Sequence, residues 1–380
     1  MDLENETGYA CAASRTQLIY RDLIQAIVVA KATFLVGDDG EVRMAERQRP
    51  VLEEDEVTEL GRLDAEIVPI KAGCDLAVLG EAHAPRGRPV QSMTVSLQIG
   101  TWRRELAVFG DRIWKLGWDA PRASRPRAFR TMPLTYERAY GGVARQSNGA
   151  YGPWFENPEG RGYLVNKKDA LGTFLPNVED PAHLIERWDD QPPVAGLAPL
   201  PRESSLRVKR GIVVDVERQT TKVQPAAFTW AHPDLAQRRY PAGERVELVG
   251  FRPGPPWTFT LPEFAPVLRL RLGDLAHELP ITVDTLCLFP STAEVVVAGR
   301  FTFVYQFVPE RKRTMRLAIS PGLRVPSLVT TIAQQRRLRT ATVPLDLDVI
   351  PELSFLPVEQ WMANNPLGEI LDRLPLFPSS

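Results

Sequence analysis

Five charged side chains are the candidates for chemistry in this sequence, and they lie in three short segments: Asp111, Arg112, Glu137, Arg138 and Glu179. Carboxylates distant in sequence can meet in a fold, where one acts as acid or base while a guanidinium holds an anionic group. A hydrolase site using Glu137 or Asp111 with Arg138 or Arg112 is therefore one hypothesis.

The same side chains also have a structural interpretation, which we favour. Asp111 and Arg112 stand in the segment GDRIW, in a turn predicted to follow a strand. A carboxylate there accepts backbone N–H bonds, and a guanidinium forks onto carbonyls or a carboxylate. Glu137 and Arg138 are neighbours, so on a strand they would point to opposite faces and need separate partners.

The segment MPLTYERAYGG, residues 132–142, looks like a docking or fold-defining loop. Its tyrosines supply flat surfaces with a polar tip, and its two glycines allow a turn forbidden to other residues. A stretch rich in Asn, Pro and Gly continues to about residue 163, and such loops are usually functional or tightly self-packed. The candidates for docking or for defining the fold are Asp111, Arg112, Trp114, Tyr136, Glu137, Arg138, Tyr140, Gly141, Gly142, Asn157 and Asn177.

Common catalytic signatures are missing from the sequence. It contains no HExxH, no P-loop, no GxSxG and no GxGxxG between a strand and a helix. No two of its four histidines have metal-pair spacing, and its three cysteines are widely separated. We therefore expect no catalytic residue, no cofactor and no metal, and we expect the protein not to be an enzyme.

Composition indicates a globular protein without a polyanionic partner. With 380 residues and 44% hydrophobic content the chain can bury a substantial core, and its net charge is -1. The longest apolar run, AIVVAKATFLVG, is broken by Lys31 and is too short for a membrane helix. The amino terminus is acidic and polar, unlike a secretory signal. We expect a cytoplasmic location, with no nucleic acid or membrane as partner.

Sequence patterns predict a mainly β protein. The 34 prolines disfavour long helices, and alternating segments surround turn signals at the DDG of residues 38–40 and at Gly100. We expect sandwich-like antiparallel sheets with long ordered loops. Two short helices are predicted near the end, over residues 327–339 and 365–374.

Two features bear on how the chain is divided. Residues 191–205 are rich in Pro and Gly, so we predict β-rich regions over residues 1–200 and 201–380, or one continuous domain crossed by an ordered loop. Acidic residues concentrate in residues 37–81 and basic residues in residues 300–339. Solvated faces or an internal electrostatic match explain this best, and a bipolar docking surface is the alternative.

An ordered set of segments resembles the bacterial family catalogued as domain of unknown function 2169 (DUF2169): KATF, DLAVLGEAHAP, GDRIW, MPLTYERAYGG, NPEGRG, LPNVEDP, PVAGLAPL and ERVELVGF. They lie between residues 31 and 251, and the rest of the chain matches loosely. Leu197 departs from the pattern because an aromatic residue usually stands there, and residues 215–240 match poorly.

The resemblance implies an adaptor or chaperone of type VI secretion that helps load a toxic effector onto the spike. The implied partners are the effector and a spike-tip protein of the PAAR or valine-glycine repeat type; the oligomeric state stays open. The family has no established catalytic residues, so the matching positions enter as fold or docking determinants. Residues 309–339 and the last predicted helix are candidate contacts. A structural component of the secretion apparatus is a third hypothesis.

Overall fold

β-Strands dominate the protein, as the sequence patterns predict. The computed structural model describes residues 2–17, 23–207, 212–215, 220–223, 228–272, 275–306, 315–320 and 356–357. Its strands, in chain order, are β1 Asp2–Asn5, β2 Ala10–Gln17, β3 Leu23–Val36, β4 Val42–Met44, β5 Glu56–Thr58, β6 Gly61–Leu63, β7 Asp75–Val78, β8 Glu81–His83, β9 Ser92–Ile99, β10 Trp102–Phe109, β11 Trp114–Lys115, β12 Arg122–Ala123, β13 Thr131–Pro133, β14 Tyr140–Gly141, β15 Val143–Arg145, β16 Tyr151–Pro153, β17 Arg161–Gly162, β18 Val178–Glu179, β19 Ile212–Asp215, β20 Thr220–Val223, β21 Arg245–Val249, β22 Trp257–Thr260, β23 Val267–Leu272, β24 Leu275–Pro280, β25 Thr282–Phe289, β26 Glu294–Gln306, β27 Met315–Ser320 and β28 Leu356–Pro357. Short 3₁₀ turns lie at Pro85–Gly87, Tyr136–Arg138, Lys167–Asp169 and Pro233–Leu235.

The largest sheet has the order β2-β3-β26-β25-β7, with β4 beside β3 and β28 beside β26. Every residue of β26 pairs with a residue of β3 in an antiparallel ladder. The hairpin predicted at the DDG turn is confirmed, since β3 and β4 pair across it. At the far edge β7 runs parallel to β25. This sheet therefore joins strands from both ends of the chain, and the division near residue 200 stays a prediction.

Two further sheets complete the framework. One has the order β18-β10-β9-β21-β22, and its β9–β10 hairpin turns at Gly100 as predicted. The other has the order β1-β27-β23-β24. Several antiparallel sheets are thus confirmed, while the pairs β1–β27, β7–β25 and β14–β17 are parallel.

One hydrophobic core receives side chains from all three sheets. Every second residue of β3 from Ala26 to Phe34 belongs to it, as do Leu97 of β9, Leu248 of β21 and Leu268 of β23. Residues 194–200, in the Pro-rich segment, are buried, and five of them belong to this core. Alternation of side chains along each strand explains why one face of each sheet is apolar.

The opposite face of β3 and β26 is also buried, and it carries the charges of Lys31 and Arg300 among apolar residues such as Val29. A covering segment, residues 45–71, crosses it and satisfies its charges. Lys31 Nζ donates to the Pro50 carbonyl at 2.9 Å and pairs with Glu66 Oε2 at 2.8 Å. Arg300 pairs with Asp284 and donates to the carbonyls of residues 66 and 68. Each buried charge thus has the partner that burial requires.

The end of the covering segment is held by Lys71. Its Nζ lies 2.8 Å from Asp75 Oδ2, 2.9 Å from Thr285 Oγ1 and 4.6 Å from the centroid of the Trp230 ring. Two carboxylates from the acidic run of residues 37–81, those of Glu66 and Asp75, are therefore paired with lysines inside the protein. Arg300, from the basic run, also has internal partners.

Both predicted C-terminal helices, residues 327–339 and 365–374, lie outside the described residues. Among the residues that are described, no helix has the length and apolarity to cross a membrane.

Because the cysteines are buried or partly buried, their thiols should react slowly with an added thiol reagent. Burial raises the pKa of the Cys11 thiol to about 11 and of Cys287 to about 12, and raises that of Cys74 well above its usual value. Because the thiolate is the nucleophile, native protein at neutral to mildly alkaline pH should react with Ellman's reagent about a hundredfold more slowly than an ordinary thiol. All three thiols should react at once in guanidinium. Fast reaction of Cys74 in native protein would contradict the packing of β7.

Removing the buried charge of Arg300 should destabilise the protein strongly. Arg300→Met leaves Asp284 buried without its cation, which costs about 3–5 kcal/mol in comparable cases. We expect a large fall in the urea midpoint followed by tryptophan fluorescence, and partial recovery in Arg300→Met/Asp284→Asn. Arg103→Met, which removes an exposed pair with Glu105, is the control and should cost about 1 kcal/mol or less.

Candidate functional site

The amide of Asn177 joins two of the charged candidates. Its Nδ2 donates to Asp111 Oδ1 and to the Phe109 carbonyl, each at 3.1 Å. Its Oδ1 accepts from Arg138 Nη1 at 3.1 Å. Asn177 is fully buried beside the end of β10, where Phe109 N–H also donates to its carbonyl at 2.7 Å. The fold therefore brings Asp111 and Arg138 together, with Asn177 between them.

Arg112 and Glu179 form a separate buried pair. The guanidinium lies 4.0 Å from the centroid of the Phe109 ring, donates to the Pro176 carbonyl at 2.7 Å and pairs with Glu179. The second carboxylate oxygen of Glu179 accepts the Ile185 N–H at 2.9 Å. Burial raises the pKa of Glu179, and the Arg112 charge acts in the opposite direction. Both oxygens of this carboxylate are thus occupied by the protein itself.

Asn157 fixes the shape of the MPLTYERAYGG loop. Its Nδ2 donates to the carbonyls of Tyr136 at 2.8 Å and Tyr140 at 3.0 Å, and its own carbonyl accepts the Gly142 N–H at 2.8 Å. Gly141 has a φ of 147°, and a Cβ there would overlap the carbonyl oxygen of Asn157. The two glycines are therefore required by a close backbone approach and by positive φ.

Aromatic rings in edge-on and tilted contact pack the loop on itself. The Tyr140 ring lies edge-on to Trp154, with centroids 5.4 Å apart, and Trp154 lies 5.1 Å from Tyr163. A second, smaller core contains Trp114, Tyr140, Leu164, Ala170, Leu175 and Ile185. Burial raises the pKa of the Tyr140 hydroxyl. Trp114 and Tyr140 are thus core residues of this loop region.

Tyr136 faces the main core. A Cβ at Gly196 would lie 2.7 Å from its ring, so the glycine of PVAGLAPL leaves room for the tyrosine. Burial raises the pKa of its hydroxyl, which finds no hydrogen-bond partner among the described residues. Arg104 lies near it and bridges Asp180 at 3.6 Å and Asp234 at 3.2 Å.

Glu137 stands apart from the other candidates. It is exposed, and its carbonyl accepts from Arg161 Nε at 2.9 Å. Partial burial raises the pKa of Glu159, and the charges of Glu137 and Glu203 add to this shift. The charged candidates are therefore distributed over three places: Asp111 with Arg138, Arg112 with Glu179, and Glu137 at the surface. In the part of the chain that the structure describes, no group of three His, Cys, Asp or Glu side chains could hold a metal ion.

The outer surface of this loop region carries large apolar side chains that the sequence reasoning did not single out. The described exposed set between residues 110 and 190, hereafter the apolar display, is Leu116, Trp118, Val143, Tyr151, Phe155, Leu171, Phe174 and Leu184. Trp118 is 100% exposed. A tryptophan beside Gly117 and Asp119, in a turn-like segment, was the available signal for it.

Hydrogen bonds tie the loops of the apolar display to one another. Lys167 Nζ donates to the Asp119 carbonyl at 2.6 Å, and Asn166 Nδ2 donates to the Arg145 carbonyl at 2.8 Å. The Gly172 N–H donates to the Trp114 carbonyl at 2.9 Å. The loops around residues 118, 145 and 170 are therefore joined.

A family model described as an uncharacterized protein conserved in bacteria, DUF2169, matches residues 22–300. The chain belongs to the DUF2169 family. No curated protein and no solved structure matches it. The DUF2169 match encloses every candidate residue named above, as well as the apolar display.

Replacing the donor amide of Asn157 by an acceptor should unfold the MPLTYERAYGG loop. In Asn157→Asp a carboxylate replaces the amide that donates to two buried carbonyls, which leaves both unsatisfied beside a buried charge. We expect loss of soluble protein or a fall of about 3 kcal/mol or more in unfolding free energy, measured by urea denaturation. Asn148→Asp is the matched control because the exposed Asn148 accepts the Ala150 N–H through Oδ1, which a carboxylate retains. Equal stability of both variants would refute the assigned role.

Proposed function

We propose that this DUF2169 protein is an adaptor or chaperone in the bacterial cytoplasm that binds a type VI secretion effector and helps load it onto the spike tip. The resemblance stated above supplies this role. The observation that carries it is the apolar display, a set of eight exposed large hydrophobic side chains on loops and short strands that the protein holds in place.

The apolar display has the chemistry of a protein-binding surface. Trp and Tyr dominate binding hot spots because they bury large area at low entropic cost. Where exposed apolar groups adjoin one another they form patches of the kind that mark interaction sites in soluble proteins. A chaperone that shields the apolar surface of its cargo needs a surface of this kind.

The loops are already ordered, so a partner can bind the apolar display without first inducing them to fold. The bonds from Asn157, Asn166 and Lys167 hold the backbone around the apolar display. A partner therefore meets side chains whose backbone is already ordered, which lowers the entropic cost of association.

The arrangement of the charged candidates favours an adaptor over a hydrolase. Arg112 and Glu179 pair with each other, and Asp111 and Arg138 are both bonded to Asn177. These bonds explain the four side chains as structural supports of the loop region.

The proposed partners are the effector and a spike-tip protein of the PAAR or valine-glycine repeat type. Tagged full-length protein should copurify with both from the native bacterium, as identified by mass spectrometry. Deleting its gene should stop secretion of that effector, while the protein itself stays in the cell.

A matched pair of variants tests the role of the apolar display. Trp118→Ser/Tyr151→Ser/Phe155→Ser should fold normally, since all three side chains are exposed, yet lose effector copurification by about tenfold or more. The control is Val57→Ser, which changes a side chain that is 75% exposed on the β5–β6 hairpin. If the triple variant still captured the effector as well as the unmodified protein, the effector would not bind through the apolar display. Secretion of the protein with the spike would indicate a structural component instead.

A further inference from the structure

Six exposed arginines lie on two segments that meet at residues 84–90 and 129–130, and neither the apolar display nor the buried pairs include them. This arginine patch consists of Arg86, Arg88, Arg122, Arg125, Arg127 and Arg130. None of the six forms a salt bridge with a described residue. Exposed Arg103 and Arg187 lie beside the carboxylates of Glu105 and Asp189, whereas other exposed arginines, such as Arg43, likewise have no salt bridge with a described residue.

Backbone pairing brings the two arginine-bearing segments side by side. Val90 and Phe129 exchange hydrogen bonds of 3.0 and 2.9 Å, and the Ala84 N–H donates to the Arg130 carbonyl at 2.7 Å. Arg130 Nε also donates to the Gly87 carbonyl at 3.3 Å. The loop at residues 85–89 therefore lies against residues 129–130, with its arginines at the surface.

The backbone that presents these arginines is restrained. Pro85, Pro89 and Pro126 each adjoin an arginine of the arginine patch and fix φ at their own positions. A Cβ at Gly110 would overlap the Arg127 carbonyl, so the chain there is packed against its neighbour. The Arg127 N–H donates to the Asp111 carbonyl at 3.0 Å, which connects the arginine patch to the candidate residues.

Few carboxylates lie near these guanidiniums in sequence, and the nearest beyond the two segments are those of Glu81, Asp119 and Glu137. No Asp or Glu occurs from residue 82 to 104 or from residue 120 to 136. Six like charges kept exposed and unpaired repel one another, and an external anionic group relieves that repulsion.

The arginine patch adjoins the apolar display. Arg122 lies on β12, which pairs with β11, and the turn between these strands carries Leu116 and the fully exposed Trp118. Arginine beside tryptophan is the composition of protein–protein hot spots. The net charge of -1 gives the whole chain no general attraction for polyanions.

We infer that the arginine patch binds an acidic surface of the protein partner, whose carboxylates meet the guanidiniums while Trp118 packs on adjoining apolar area. This inference deepens the proposed function, on which it rests. Guanidinium and carboxylate match as bidentate hydrogen-bonding groups, so such a partner is selected by geometry as well as charge.

The test uses the full chain and a fluorescein-labelled, glutamate-rich peptide containing tryptophan. Fluorescence anisotropy should show binding that weakens as NaCl rises. Arg88→Glu/Arg125→Glu/Arg127→Glu should weaken it by about tenfold or more, because charge complementarity is reversed. Arg86, with its φ of 57°, and Arg130, with its bond to Gly87, are left intact to protect the loop. The matched control, Arg43→Glu/Arg47→Glu/Arg239→Glu, carries the same charge change on exposed positions elsewhere and should bind normally.

Three results would overturn the inference. The first is peptide binding that the Arg88/Arg125/Arg127 variant retains. The second is tighter, equally arginine-dependent binding of a single-stranded DNA oligonucleotide or of vesicles with anionic lipid. The third is an arginine-dependent dimer in light scattering, which would make a second copy the occupant.

Effector copurification separates this inference from the proposed function. Capture of effector and spike protein that survives the three arginine changes would retain the adaptor role and reject the arginine patch. Arginine-dependent peptide binding without any such capture would retain the arginine patch and reject the adaptor role.

Discussion

The pairing of β3 with β26 is the constraint on which the rest of the structure depends. It joins residues 23–35 to residues 294–306, so most of the chain is a loop closed by this one ladder. Closing so long a loop costs entropy before any contact rewards it, although the cost grows slowly with length. Contacts on both faces of the ladder offset that cost, because alternate residues from Ala26 to Phe34 enter the apolar core while Lys31 and Arg300 bind the covering segment.

Local sequence identified many of the strands and two hairpins, but not the distant partners of those strands. The DDG and Gly100 turns predict two hairpins because the paired strands are adjacent, and both form. The β3–β26 and β7–β25 pairings join distant residues, and side-chain periodicity identifies a strand without naming its neighbour. The first strands were missed for a related reason: ACAASRTQ in β2 is small and polar, and it becomes a strand through its ladder with β3.

The candidate site was predictable by residue and not by arrangement. Asn157, Asn177 and the two glycines were recognisable as turn-forming residues. Their geometry was not, because an asparagine has two donors and an acceptor that reach backbone groups far along the chain. Asn177 therefore links Phe109, Asp111 and Arg138, which no spacing rule connects. The exposed Trp118 and Phe155 were overlooked because the patterns used to find buried elements assign no role to apolar residues in loops.

Buried and exposed charged side chains of this protein differ in whether they need a partner of opposite charge. Lys31, Arg112 and Arg300 are buried, and each is matched by a carboxylate and by backbone carbonyls. Such matching follows from the large penalty for an unpaired charge in a low-dielectric interior. Exposed arginines are under no such requirement, since water solvates them. The six arginines of the arginine patch are exposed in this way, so the fold places no demand on their charge, and the inferred role in binding rests on the surface they share with Trp118.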